Sequence, residues 1–384
     1  MSRRALLSFL VVGALLLLLP SLGTIVEFPT AYVVFLYFMS FWVAQATSWN
    51  ILSGYTGYFS FGQAAFFGVG VYTSADLVTQ FGWNYFVTIP LGGVTGLALA
   101  LIVGAVAFRL GSLRGEIFAL LTLIVALILA TVARLSTFID GGQGRQISVP
   151  EYPSFLGEFS EMIYRLGVVV AVVAVATAYA IQHSRFGWGL FVIRDREDVA
   201  EGLGVPTFRY KMLAIGISGF LAGASGSVFA LQIGFVTIEQ VFGLTVPLLV
   251  IVMSVLGGRH HWLGPVLGAV VVFTLQDRLV SAGFEDWNQI IIGAILVGLV
   301  IFAGEGLYER GGGRWVPAGA LLVLGTVVLG ATGAAGGLID AFAFALGAAV
   351  LTLFLPVERL PWLARRHPEQ LASELAASVH ERRP

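Results

Sequence analysis

Apolar residues in this chain come in long runs, many of the length needed to cross about 30 Å of hydrocarbon as a helix of roughly 20 residues. Bounded by charge, proline or polar clusters, they predict spans at 6–26, 32–52, 60–79, 87–108, 115–135, 163–182, 211–233, 243–258, 263–281, 288–303, 315–333 and 338–356. The third and eighth are short or polar enough to be broken or re-entrant helices, which are tolerated where they line a cavity buried in protein. The pattern predicts an all-α fold, a polytopic transmembrane helical bundle of about 10 core spans plus two C-terminal spans. Residues 1–31 then form an N-terminal transmembrane helix, 32–303 the core, and 304–384 an extension with two extra helices and a charged tail.

Composition removes the soluble alternatives. Apolar residues make up 58% of the 384, charged residues only 11%, and the mean hydropathy is +0.91, against about 25% charged in soluble domains. Such a chain cannot cover itself with polar groups in water, so the lipid bilayer is its solvent. A net charge of −1 supplies no basic field for nucleic acid. Cysteine is absent, which excludes disulfides, thiolate catalysis and Cys-ligated metal. Most of the 48 glycines sit inside apolar runs, where small residues let helices approach closely.

Basic residues set the orientation. With the N-terminus inside, 17 of the 21 Lys and Arg fall on inner segments, and only Arg134, Arg145, Arg165 and Arg278 fall outside. Both termini are therefore expected in the cytoplasm, with the protein multi-pass in the cell (inner or plasma) membrane. Arg3 and Arg4 ahead of Ala5–Leu19 resemble a signal peptide, but no A-x-A site follows and the apolar run continues to Val26, which favours an uncleaved first helix. Two stretches break the pattern. Residues 136–162 make a Gly-, Pro- and acid-rich outer loop suited to an external protein. Residues 183–210 make the longest inner segment, in which Leu190–Leu203 reads as one short charged amphipathic helix ended by Gly202 and Gly204 before Pro206.

Candidate chemistry is sparse. The single lysine, Lys211, lies between Tyr210 and Met212, so there is no Gly-Lys-Ser/Thr phosphate loop and the chain is not its own motor. His183, His260, His261, His367 and His380 form no H-E-x-x-H pattern, and adjacent His260 and His261 read as a polar turn rather than a metal site. No enzyme activity, cofactor or metal is expected. Asp76, Glu116, Glu239 and Asp277 lie near span ends, unlike the deep charges of ion-driven carriers. Mid-span polarity comes instead from Gln45, Asn50, Gln63 and several Ser and Thr.

WNILSGYTGYFSFGQAAFFGVGVYTSA, residues 49–75, is the most informative stretch. Glycines at 54, 57, 62, 68 and 70, with Ser53, Ser60 and Gln63 between aromatics, predict a helix that stops, turns and restarts inside the membrane. A restarted helix presents backbone N–H groups and a positive dipole end to a substrate carboxylate at mid-depth. Ordinary small-residue packing explains the same spacing, and both readings stay open. The candidate substrate-pathway residues are Asn50, Ser53, Tyr55, Ser60 and Gln63.

These residues, with RGEIFALLTL at 114–123, DGGQGR at 140–145, FRYKMLAIGISGFLAGASGSVFA at 208–230 and VLGGRHHWLGPVLGA at 255–269, resemble the branched-chain amino acid ABC transporter permease family of the LivM type, in family order from about residue 32 to 303. The resemblance implies an importer of two related permease chains, two cytoplasmic ABC ATPase subunits and an external solute-binding protein. It implies that the inner segment docks into the ATPase, with Arg194, Asp195, Glu197, Glu201 and Gly204 as coupling residues. It also implies an inverted pair of repeats, of which FSFGQAAFFGVG and HHWLGPVLGAVV are a faint echo. Three features depart from the family: Gln63 where His is common, Asp140-Gly141-Gly142 where Thr-Gly-Gly is usual, and the extension after IFAGEGLYER. Branched-chain amino acids are the expected solutes, with urea or short amides as the alternative. A stand-alone ion-coupled carrier and a lipid-modifying membrane enzyme are the competing classes.

Overall fold

In lipid, each backbone N–H and C=O must be satisfied within its own segment, so long apolar stretches become helices. The computed structural model describes residues 3–20, 29–109, 115–137, 139, 141–147, 152–153, 156–283, 290, 293–294, 306–311, 322, 324, 326 and 337–354. The expected spans at 288–303 and 315–333, apart from isolated positions, and the charged tail from 355 lie outside the described residues. In chain order the elements are α1 (Arg3–Leu18), α2 (Thr30–Thr56), α3 (Gln63–Phe81), α4 (Tyr85–Arg109), α5 (Glu116–Leu135), β1 (Arg145–Gln146), α6 (Phe159–Gln182), α7 (Arg185–Asp195), α8 (Glu197–Gly202), α9 (Thr207–Ile233), β2 (Phe235–Val236), α10 (Ile238–Phe242), α11 (Thr245–Gly257) and α12 (Gly264–Ser281). Among the described residues seven helices are long and apolar enough to cross a membrane: α2, α4, α5, α6, α9, α10–α11 taken together, and α12.

The chain divides into two compact units, residues 1–309 and 310–384. In the second, the helix Leu338–Phe354 buries one face through Ala341, Ala345, Leu346 and Ala349. In the first, α9 is central and packs on α2, α3, α4 and α6. Small residues make that possible. A Cβ on Gly223 would lie 2.2 Å from the Gly92 carbonyl oxygen, and one on Gly96 would lie 2.4 Å from that of Gly219. The outermost first helix seats on α6, where Tyr164 donates to the Leu16 carbonyl at 2.9 Å and Phe9 meets Tyr179 edge-on.

Helices α2 and α9 are a matched antiparallel pair. Each is 27 residues long, and each ends at a positive-φ glycine, Gly57 (φ 77) and Gly234 (φ 70), followed by non-helical backbone. They meet at their midpoints, where Gln45 donates to the Ala222 carbonyl at 3.4 Å. The sequence echo between residues 59–70 and 260–271 is therefore not the inverted repeat. It relates α3 to α12, which both lead away from the end of the bundle holding α7 and α8, whereas α2 and α9 run in opposite directions.

At the opposite end, β1 pairs antiparallel with β2, Arg145 holds Asp76 at 3.1 Å, and Arg134 reaches Glu239 at 2.7 Å. This end gathers the loop after α5 and the turn after α9.

Candidate functional site

The break after α2 positions the central polar residues. Gly57 stops α2 in the left-handed conformation, and its N–H donates to the Ser53 carbonyl at 3.1 Å. Residues 57–62 then run back along α2. Trp49 donates its indole N–H to the Ser60 carbonyl at 2.7 Å, and the Phe61 N–H is taken by Thr122 of α5 at 3.0 Å. Helix α3 restarts at Gln63, level with Gln45, which lies eleven residues before the end of α2, or about 16 Å at 1.5 Å per residue. The stop, turn and restart expected from the glycine spacing thus takes the form of a short non-helical return strand inside the bundle.

Gln63 donates its amide to Gln45 Oε1 at 2.6 Å and to Ser48 Oγ at 2.7 Å. Gln63 and Ser60 therefore belong with Gln45, Ser48 and Trp49 on one face of α2. Asn50 sits on another face, its Oδ1 covering Gly54 beside the Arg259 carbonyl. Asn50 and Ser53 are 1% and 3% exposed, and their side-chain polar atoms have no hydrogen-bond partner among the described residues. Tyr55 turns toward α6 and α7, donating to the Ala178 carbonyl at 3.4 Å and meeting Phe191 edge-on. All five expected pathway residues are buried, but the fold does not gather them into one group.

Below the break lies the charged segment. The single helix expected over 190–203 is two: α7 begins with Ser184 accepting from the Gly187 N–H at 3.1 Å, and Arg196, extended at φ −157 and ψ 103, separates α7 from α8. The break turns Glu197 inward. Lys211 Nζ meets Glu197 Oε1 at 2.5 Å, Tyr58 donates to Glu197 Oε2 at 2.6 Å, and Lys211 donates to the Tyr58 hydroxyl at 3.2 Å. Phe108 and Phe118, stacked with centroids 5.4 Å apart, close over the cluster.

Of the other expected coupling residues, Asp195, Glu201 and Gly204 are exposed, and Arg194 lies half-buried over the Phe191 ring with its stem against Gly57. Glu197 departs from a surface docking role: its carboxylate faces the core. The exposed side of α8 carries Val199 and Leu203 at 43% and 72% exposure, between Asp198 and Glu201.

The connector 258–263 completes this end. His260 Nδ1 contacts Glu309 at 2.8 Å and His261 stacks on Tyr308 with centroids 3.8 Å apart. Burial, helped by the neighbouring His183, lowers the His261 pKa to about 4 against an opposing pull from Glu309. Among the described residues no group of three or more potential metal ligands occurs.

Residues 31–300 match the family described as branched-chain amino acid transport system / permease component. The chain belongs to this family. Among similar proteins, the high-affinity branched-chain amino acid transport system permease protein LivM of Salmonella typhimurium strain LT2 is 25% identical over 283 residues, covering 67% of this chain and 65% of the relative. LivM of Escherichia coli K12 is 24% identical over the same shares. The autoinducer 2 import system permease protein LsrC of Klebsiella pneumoniae is 32% identical over 158 residues, 40% of this chain and 44% of the relative. The chain thus spans 65% of the length of the LivM relatives. No solved structure matches.

Spacing did not reveal the Tyr58–Glu197–Lys211 cluster or the Gln45–Ser48–Gln63 network. One signal was available: a chain that otherwise uses Arg for every basic position keeps a single lysine. A compact ammonium that reaches a carboxylate and a phenol together in a buried site is a different object from a surface arginine.

Proposed function

We propose that this chain is the membrane-spanning permease subunit of an ABC importer, passing branched-chain amino acids or related small polar solutes while separate ATPase subunits hydrolyse ATP. The observation that carries the reading is α7–α8: a broken, charged helix pair at one end of the bundle, with Asp195, Asp198, Val199, Glu201, Leu203 and Gly204 facing outward. We take that end as cytoplasmic, in line with the basic-residue bias, and α8 as the ATPase-docking element. A second permease chain completes the pathway, and an external solute-binding protein delivers the solute to the end formed by β1, β2 and α10.

Asn50 and Ser53 keep hydrogen-bonding groups in reserve, and Gln63 sits at the positive end of α3 halfway along the bundle. Both features suit a polar or zwitterionic solute. The similarity to LsrC permeases, named for autoinducer 2 import, favours keeping other small polar solutes beside branched-chain amino acids.

The test is to purify the chain with its genomic neighbours and reconstitute it in sealed vesicles. An ATPase should co-elute, and uptake should need ATP and the binding protein. Accumulation by this polypeptide alone, driven by an ion gradient, would overturn the assignment. Ligand-induced stabilisation of the binding protein would identify the solute.

A further inference from the structure

We propose that Tyr58, Glu197 and Lys211 act as one positioning element that carries movement of α7–α8 into the mid-bundle network around Gln63. The proposal rests on the reading of α8 as the ATPase-docking element.

Three observations support it. Glu197 and Lys211 expose only 7% and 6% of their side chains, and Phe108 and Phe118 pack edge-on against Tyr58. Separating such a pair leaves an uncompensated, largely buried charge, so α8, the start of α9 and the turn at Tyr58 move together. Tyr58 is also the second residue of the return strand, and five residues later that strand becomes Gln63. This short segment is pinned along its length by the Trp49 indole on the Ser60 carbonyl and by Thr122 on the Phe61 N–H. Finally, α9 carries Lys211 at one end and Ala222, the acceptor of the Gln45 amide, at its midpoint. The strand and α9 thus give two routes from one buried ion pair to the same polar network.

The cluster lies directly beneath the α7–α8 surface: Tyr58 and Glu197 border an open cavity of about 250 Å³ with Arg194, Asp195, Arg196 and Asp198. Its role is to keep α8 in register with the pathway, so its loss should separate ATP hydrolysis from transport rather than abolish either partner's binding.

The test uses the full complex of this chain with its permease, ATPase and binding-protein partners in vesicles, with uptake and ATP hydrolysis measured on the same sample. The variants are Lys211→Met, Glu197→Gln, Tyr58→Phe and the exchange Glu197→Lys with Lys211→Glu. In the first two, uptake per ATP should fall by about tenfold while the ATPase stays bound. Tyr58→Phe should lower the ratio less, and the exchange should recover much of the loss. An unchanged ratio in the first two, or a loss of uptake matched by an equal loss of hydrolysis, would overturn the proposal. If either charge variant fails to assemble, Tyr58→Phe decides, and an unchanged ratio there also overturns it. Failure of the docking reading is seen separately, as full ATPase retention by Leu203→Asp on the exposed face of α8.

Discussion

Replacing Gly223 by alanine tests the seam on which the whole core depends. Gly223 lies where α9 meets α4 and α3: a Cβ there would sit 2.2 Å from the Gly92 carbonyl oxygen, and the Gly70 Cβ position lies 2.1 Å from the Gly223 carbonyl oxygen. Ordinary contact begins at 3.4 Å, so the α4 backbone must retreat by about 1.2 Å, an overpacking change that costs roughly 1–3 kcal/mol. It cannot retreat alone. One turn toward the start of α9, Gly219 and Gly96 already meet with Cβ-to-carbonyl distances of 2.4 and 2.6 Å, and opening one pair loosens the other. In lipid no hydrophobic drive compensates, because helix association there relies on close van der Waals packing. The melting temperature of the purified protein in detergent should drop by roughly 1–4 °C. Gly202→Ala in α8 is the control, since a Cβ there meets nothing within 4 Å. A Gly223→Ala protein melting with wild type, or a Gly202→Ala protein losing as much, would refute the packing account.

Gln63→Met removes the donor that satisfies Gln45 Oε1 and Ser48 Oγ, at a cost of about 1–3 kcal/mol for buried acceptors left unpaired. Uptake normalised to expression should fall, and full transport in both Gln63→Met and Ser60→Ala would remove this network from the pathway. Glu197→Leu strands the Lys211 charge and should destabilise by about 3–5 kcal/mol, whereas Glu197→Leu with Lys211→Met should recover most of that loss. Equal melting of the single and double variants would show that the pair is not coupled. His261 titrates near pH 4 in the folded state against 6.5 for a free histidine. The unfolded chain therefore binds the extra proton first, and the stability from a neutral His261 is present above about pH 6.5 and lost as pH falls toward 4. His261→Phe, which keeps a ring to stack on Tyr308, should flatten the melting profile over that window, and an unaltered slope would count against it.

Much of this protein was legible from hydrophobicity alone. Crossing a bilayer imposes a minimum apolar length and forces the backbone to satisfy itself, so α2, α4, α5, α6, α9 and α12 could be placed before any coordinates. Gly57 likewise announced the break, because the chain stops there at φ 77, a conformation glycine tolerates. Periodicity did less well over 190–203, where one amphipathic helix was expected. The turn at Arg196 arises because Lys211, fourteen residues on, draws Glu197 inward, and a long-range ion pair leaves no local trace.

The partition of the expected pathway residues has the same cause. Asn50, Ser53, Tyr55, Ser60 and Gln63 are neighbours in sequence, yet which face of α2 each occupies, and whether α6, α9, α11 or the return strand meets it, depends on how helices distant in the chain pack. Sequence by itself determined that this chain lives in lipid, where it bends, and which family's motifs it carries, since those follow from local composition and spacing. Only the tertiary structure decided that α2 pairs with α9 rather than α3 with α12, and that the lone lysine closes a buried cluster. The first joins helices whose contacting residues lie more than a hundred positions apart, and the second ties Lys211 to Tyr58 across the fold as well as to Glu197, pairings that packing sets and local spacing does not encode.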